Sequence, residues 1–275
     1  MRKIRLCADD YAIAPAVGVA IRDLILRGRL NATSVMVVAP SFASEAPPLA
    51  ALDAERRAAI GLHLTLTGPF RPLTAFRPLA DGAFPPLAAM ARLAFLRRLE
   101  RTVLAHEIEA QLAQFAAAFG RAPDFVDGHQ HVHLFPQIRA EMLAAVKRAA
   151  PAAWVRQCGS ALPLRILARD FKTLALSVLS RGFRRRAAAL GVATNPAFAG
   201  VYDLDPDTDF AALFPRFLEG LPDNGLVMCH PGHVDAELRS LDPLTDLRET
   251  EYRYFVGDSF PRALAAAGVD LARAS

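Results

Sequence analysis

The chain has 275 residues, 53% hydrophobic and 22% charged, with 32 basic against 28 acidic side chains and a formal net charge of +4. This composition excludes a disordered polymer, and the length allows one α/β barrel or two smaller domains. Cys7, Cys158 and Cys229 are too few and too far apart for a disulfide framework. The absence of a run of about 18 apolar residues argues against a membrane-spanning helix. Asp9-Asp10 follow the N-terminus too closely for the apolar core of a signal peptide, so a cytoplasmic location is expected.

In chain order, an apolar run over 3–8 predicts a buried strand ending in Asp9-Asp10. Helical spacing of Val17, Ile21, Leu24 and Ile25 predicts a helix over 15–27, with Pro15 at its start and Gly28 as its stop. Strands follow over 33–38 and over 60–66, the latter containing His63, and a helix over 44–57 lies between them. The Pro- and Gly-rich stretch 68–86 reads as a long loop of the kind that covers sites. One helix is expected over 88–119, then a strand over 124–128 running into His129-Gln130-His131-Val132-His133. A helix over 136–150 and a short strand over 154–156 come next, then a basic, largely helical segment at about 157–190. Strands over 198–202, 226–229 and 269–271 and helices over 209–220 and 248–266 complete the chain.

Strands alternating with helices imply parallel pairing through right-handed crossovers. About seven such units predict an α/β barrel of about seven parallel strands occupying 1–275 as a single domain. Asp9, Asp10, His63, His129 and His230 all fall at or just beyond the C-terminal ends of predicted strands. In a parallel barrel that rim is where chemistry is done.

Charge is unevenly spread. Between Arg156 and Arg186 eight basic side chains face one acid, Asp170, so this window carries +7 and the remainder −3. From Asp203 to Asp258, thirteen carboxylates stand against four arginines. The basic segment reads either as a solvated helix face or as a contact for phosphates, an anionic membrane surface or the acidic part of a second copy in a homodimer. No zinc knuckle or aromatic RNA-binding motif accompanies it, so nucleic acid is not an expected partner.

Six of the seven histidines lie in three short apolar-flanked segments, and only His106 sits on an ordinary helix. Imidazoles and carboxylates converging on one rim suit a divalent metal ion: Asp10, His63 and His129 offer one carboxylate and two neutral nitrogens and leave positions open. Each piece has a plainer reading. Asp9-Asp10 could be a helix cap and turn, His63 a hydrogen-bonded core residue, and His230-Pro-Gly-His233 a structural turn. The three imidazoles of 129–133 share a face only if the strand continues through them.

The segments Ala8-Asp9-Asp10-Tyr11, Gly61-Leu62-His63-Leu64, Asp127-Gly128-His129-Gln130-His131-Val132-His133 with Pro136, and Cys229-His230-Pro231-Gly232, taken in order, resemble the YdjC/ChbG-type carbohydrate deacetylases. Tyr11-Ala12 stands where that family usually has a Phe-Gly-like pair, and the Arg-rich stretch matches no pattern of the family. The resemblance implies a deformed, TIM-barrel-like fold that removes an acetyl group from an N-acetylated sugar with a divalent ion, magnesium or zinc. The sugar could be an oligosaccharide or lipid-linked, as in hopanoid-associated members, which would bring a peripheral membrane contact.

Carried over position by position, Asp10, His63 and His129 correspond to the metal ligands, Asp9 to the general base and His230 to the general acid. Asp127 is placed to accept a hydrogen bond from an imidazole, and His131 and His133 to support the ligands or touch substrate. Arg156 is expected either on a sugar hydroxyl or phosphate or in a surface ion pair; for Trp154, core packing is expected over stacking on a sugar. Two other readings are a metal-dependent amidohydrolase on a non-sugar amide and a silent barrel that binds a sugar or lipid. The first usually carries its His-x-His on the first strand, whereas here paired acids come first.

Overall fold

The computed structural model of the chain describes residues 1–53, 55–162, 170–203, 205 and 207–272. Its centre is β1 (Arg2–Tyr11), buried on both faces from Leu6 to its end. Around it stand β2 (Ala32–Val35), β3 (Ala59–Leu64), β4 (Phe125–Gly128), β5 (Trp154–Val155), β6 (Phe198–Ala199), β7 (Leu226–Cys229) and β8 (Val269–Leu271). The sheet order is β5-β4-β3-β2-β1-β7-β6, with β8 on β1, and every pairing is parallel. Helices α1 (Pro15–Leu26), α2 (Phe42–Asp53), α3 (Leu87–Phe95), α4 (Arg101–Phe119), α5 (Pro136–Ala149), α6 (Phe171–Ala189), α7 (Phe210–Phe217), α8 (Ala236–Leu241), α9 (Asp246–Val256) and α10 (Ser259–Ala266) surround it. The result is the expected deformed (β/α) barrel.

Two asparagine side chains stand in for missing backbone. β8 pairs the start of β1 and β2 pairs its end, and Asn31 fills the junction. Its Oδ1 accepts from Leu6 N (2.7 Å), and its Nδ2 donates to Ile4 O and Ala272 O (both 2.9 Å). At the seam between β5 and the chain entering β6, the regular ladder is a single bridge, Val155 to Thr194. Asn195 extends it: Oδ1 accepts from Gln157 N (2.8 Å), while Nδ2 donates to Gln157 O (3.0 Å) and Ala197 O (2.9 Å). A buried polar group without a partner costs about 1–3 kcal/mol, which these amides offset.

The helices predicted over 88–119 and 248–266 are each two helices. After α3 the chain turns through Arg97 at φ 54°, and Gln137 clamps Leu99 by hydrogen bonds to both its backbone N–H and carbonyl. Between α9 and α10, Gly257 is extended (ψ 168°) and breaks the helical path. The histidine cluster is not a strand extension. β4 ends at Gly128, and His129–Leu134 form a 3-10 segment kinked by left-handed Gln130 (φ 51°) and His131 (φ 58°). Of the basic segment, α6 is helical as expected, while Arg165 and Arg169 lie outside the described residues. No described helix is long and apolar enough to cross a membrane. All three cysteines are free and buried.

An aromatic cluster of Phe210, Phe214, Tyr254, Phe255 and Phe260 locks α7, α9 and α10 together, with ring centroids 5.2 Å apart for Phe255–Phe260 and 5.6 Å for Phe214–Phe260. Such burial fixes the rotation of α9, and with it the side chains α9 presents to the barrel rim. Trp154 stacks on Phe125 (4.5 Å, 13°), which is packing and not a sugar platform. Replacing Asn195 by Ala should orphan the Gln157 backbone N–H and lower urea-unfolding stability by about 2 kcal/mol. Hydrogen exchange at Gln157 should accelerate in parallel; an unchanged exchange rate would show that the seam does not depend on Asn195.

Candidate active site

β1 ends in a bulge. Its pairing with β2 slips between Ala8 and Tyr11, Asp10 takes φ 63° and Ala12 φ 72°. Non-glycine residues adopt this region at a cost, and Asp bears it better than most. The slip sends the two adjacent carboxylates to different partners. Asp9 turns to β5 and Asp10 to the ends of β3 and β4.

Asp10 Oδ1 lies 3.2 Å from His63 Nε2 and 3.0 Å from His129 Nδ1. One ligand atom from each of the three lies within 4.8 Å of the others, and all three residues are largely buried. Behind His63, its Nδ1 stands 2.6 Å from Asp127 Oδ1 and 3.0 Å from Ser34 Oγ. With Nδ1–H donated to Asp127, Nε2 is the nitrogen that faces Asp10, donating to it while the ring is protonated and offering a lone pair once that proton is displaced. On the other side, Arg248 Nη2 donates to Asp10 Oδ2 (2.7 Å) and Asp242 Oδ2 (2.6 Å).

Asp9 is held differently. Arg156, fully buried, donates from Nη1 to Asp9 Oδ2 (2.6 Å) and from Nη2 to Asp9 Oδ1 (2.5 Å). The same Nη2 sits 2.5 Å from Asp127 Oδ2 and 3.1 Å from Cys7 Sγ. Cys7, Asp9 and Asp127 thus converge around a guanidinium that already supplies their cation. Burial alone would raise the Asp9 pKa, but Arg156 outweighs it, with help from His63 and His230, and holds it at about 2. Burial would likewise depress His63, yet Asp127 and Asp10 overcome it and push it up to about 10. The pocket around His63 therefore favours a positive charge, and one carboxylate oxygen and two imidazole nitrogens face a common point there. That donor set fits a divalent cation, with the nitrogens suiting zinc more than magnesium.

A family model described as YdjC-like protein matches residues 3–266. The chain belongs to the YdjC family. Among its relatives, a chitooligosaccharide deacetylase of Yersinia pestis (strain Pestoides F) is 28% identical over 236 residues, covering 84% of this chain and 82% of that protein. Another, of Yersinia pestis bv. Antiqua (strain Angola), is 29% identical over 238 residues with the same coverage. A crystal structure of an Enterococcus faecalis V583 protein assigned to cellobiose-phosphate cleavage aligns with TM-score 0.75 and 22% identity, over 99% of this chain and 97% of that one. The YdjC fold is therefore shared along essentially the full length described.

Within this YdjC rim the remaining predicted residues separate. His230 follows β7, with its backbone N–H donated to Glu251 Oε2 (2.6 Å) and its Nδ1 buried without a partner among the described residues. His131 and His133 do not join the Asp10–His63–His129 group. His133 Nε2 donates to Arg156 O (2.9 Å) and so fixes the backbone that carries the guanidinium. His131 packs on Cys158 (3.6 Å) and Phe198, and burial followed by the Arg156 charge pushes it down to about 3. Both stay neutral. Arg156, enclosed by Asp9 and Asp127, forms no surface ion pair and presents no guanidinium edge to a sugar. Phe70, from the loop predicted to cover the site, lies edge-on to His129 at 5.7 Å.

Sequence reasoning missed Arg248 and Glu251. They stand one turn apart on α9 and brace Asp10 and the His230 backbone respectively. Tyr202 donates to Glu251 Oε1 (2.7 Å), and burial pushes the Glu251 carboxyl above its ordinary range. The only signal was their place at the start of the helix predicted over 248–266, within the acidic stretch.

Replacing Arg156 by Met should leave Asp9 a buried, unpaired carboxylate and Asp127 with His63 alone, and cost about 3–5 kcal/mol in denaturant unfolding. The folded pKa of Asp9, about 2, lies below its ordinary value of 3.8. The stabilisation from this group is thus full above that ordinary value and is lost as pH falls through about 2. In the Asp9→Asn variant, stability measured by circular dichroism should fall less steeply from pH 4 to pH 2. Identical slopes would contradict the Asp9–Arg156 linkage.

Proposed function

We propose that this protein is a metal-dependent hydrolase that removes the acetyl group from an N-acetylated sugar. The observation that carries the reading is the pairing of two adjacent acids in two environments: Asp10 grouped with His63 and His129, and Asp9 beside them, ionised and free of that group. Chitooligosaccharide deacetylation, the activity named for the Yersinia relatives, supports an N-acetylated oligosaccharide as substrate.

Asp10, His63 and His129 would hold a divalent cation, magnesium or zinc, which when bound polarises an acetyl carbonyl and makes the attacking water more acidic, as metal sites do. Asp127 keeps the His63 ring oriented, and Arg248 takes up the second Asp10 oxygen, so that Oδ1 remains for the cation. Asp9 accepts the proton of the attacking water at a carboxylate oxygen. Because Arg156 makes Asp9 a weak base, the driving force for that transfer has to come from the acidity of the water. His230 gives a proton to the amine nitrogen as the C–N bond breaks, releasing acetate and the free amino sugar. The loop holding Phe70 is tied down by Glu107, which accepts from Leu73 N (3.2 Å), Thr74 N (2.9 Å) and Thr74 Oγ1 (2.7 Å), and it borders the triad so as to limit water around it.

Acetate release from a panel of N-acetylated oligosaccharides and sugar-lipids tests the reading. Release should vanish on chelation and return with added zinc or magnesium; release insensitive to chelation would remove the metal from the mechanism. His230→Asn should lower turnover about 100-fold or more while leaving metal content unchanged. His63→Ala should instead lose the metal itself, as read by elemental analysis of the purified protein, and a fully loaded His63→Ala protein would refute the ligand assignment.

A further inference from the structure

The basic helix α6 takes no part in the site described above, yet its arginines are not all spent on solvent. A cavity of about 210 Å³ opens where the α3–α4 turn and the start of α4 meet α5 and α6, lined by Arg97, Arg101, Pro136, Arg139, Glu141 and Arg186 among others. Glu141 is the one carboxylate of that lining, and it accepts from Arg101 Nε (2.8 Å). Arg97, Arg139 and Arg186 form no ion pair among the described residues. Three guanidiniums, from the α3–α4 turn, α5 and α6, therefore surround one cavity whose single carboxylate is already paired with Arg101. Burial, Arg186 and Arg97 together depress the charged form of Arg139, a sign that the group repels itself.

Gly182 leaves room for the Arg139 guanidinium. Gly182 lies inside α6, where glycine weakens a helix, and a Cβ there would come within 2.8 Å of Arg139 Nη1. Arg186 lies four residues on, one turn further along the same face. Pro136 opens α5, and the Phe135 cap makes no side-chain hydrogen bond to the first turn, so the positive end of that helix adds to the field.

We propose that this pocket binds a phosphoryl group, one oxygen to each of Arg97, Arg139 and Arg186. Fork-shaped guanidiniums from separate directions match a group with several acceptor oxygens. The phosphoryl group belongs either to a soluble compound or to an anionic lipid headgroup; Phe95 and Leu96, 48% and 53% exposed, flank Arg97 and supply the apolar contact a lipid surface would use. The site shares no residue with the Asp10–His63–His129 group and does not rest on the deacetylase reading.

Thermal unfolding of the full chain, stripped of metal and freed of chelator, tests the assignment with inorganic phosphate as the probe. Phosphate should raise the midpoint well beyond chloride at equal ionic strength. Arg139→Ala should weaken phosphate binding about tenfold or more, yet unfold no lower than the unaltered protein in phosphate-free buffer, because one repelling charge is gone. Gly182→Ala, which keeps all three arginines but fills the space of Arg139, should also weaken the response. Arg92→Ala, outside the cavity lining, should leave it intact. An equal phosphate response in Arg139→Ala, or none above chloride, overturns the proposal. Co-sedimentation with phosphatidylglycerol vesicles, lost in Arg139→Ala, identifies the lipid source. Phosphate binding without vesicle binding identifies a soluble one. Vesicle binding that persists in Arg139→Ala counts against the pocket.

Discussion

A guanidinium buried between two carboxylates organises this protein. Arg156, with no exposure, spans Asp9 and Asp127 at the C-terminal ends of β1 and β4. Removing either partner would leave a charge in an apolar interior, so the positions of three strand ends are tied to one another. The consequences run outward through hydrogen bonds. Asp127 turns its other oxygen to His63 and orients that ring, and His63 faces Asp10. His133 holds the backbone of Arg156. Asp9, kept ionised, cannot drift into the Asp10 group, because the bulge at the end of β1 and the pull of Arg156 separate them.

The opposite side of the group is secured by a helix far along the chain. α9 is seated by the aromatic cluster around Phe214 and Phe255, and from that seat Arg248 reaches Asp10 while Glu251 holds the His230 backbone. Packing of ordinary apolar surface thus sets the geometry of polar groups that carry no packing energy themselves. Closure at β5 and β6 is irregular, with an asparagine substituting for backbone pairing, yet Arg156 just beyond β5 is held in place by Asp9, Asp127 and His133.

Much of this was legible in the residues. Apolar runs ending in Asp, His or Asp-Gly-His mark the strand ends and so the rim, and Asp10, His63 and His129, each at such an end, lie together on it. What stayed hidden is non-local or conformational. The left-handed turns at Gln130 and His131 have no glycine to announce them, so the 129–133 segment gave no warning that its imidazoles would part. The break after α3 is imposed by Gln137, about forty residues away, and not by a local helix breaker. Arg156 stood beside a strand end in a cationic stretch, and only burial shows that it serves the acids and not a substrate. Arg248 and Glu251 depend on where α9 docks, which no local pattern encodes.

The central claim is that the two adjacent acids do different work, Asp10 holding a cation and Asp9 moving a proton. Metal content and acetate release measured on the same preparations of the unaltered protein, Asp9→Asn and Asp10→Asn test it most directly. The account predicts that Asp9→Asn keeps its full complement of metal but loses turnover by about 100-fold or more, whereas Asp10→Asn loses both. Equal metal loss in the two variants, or near-normal turnover in Asp9→Asn, would contradict it.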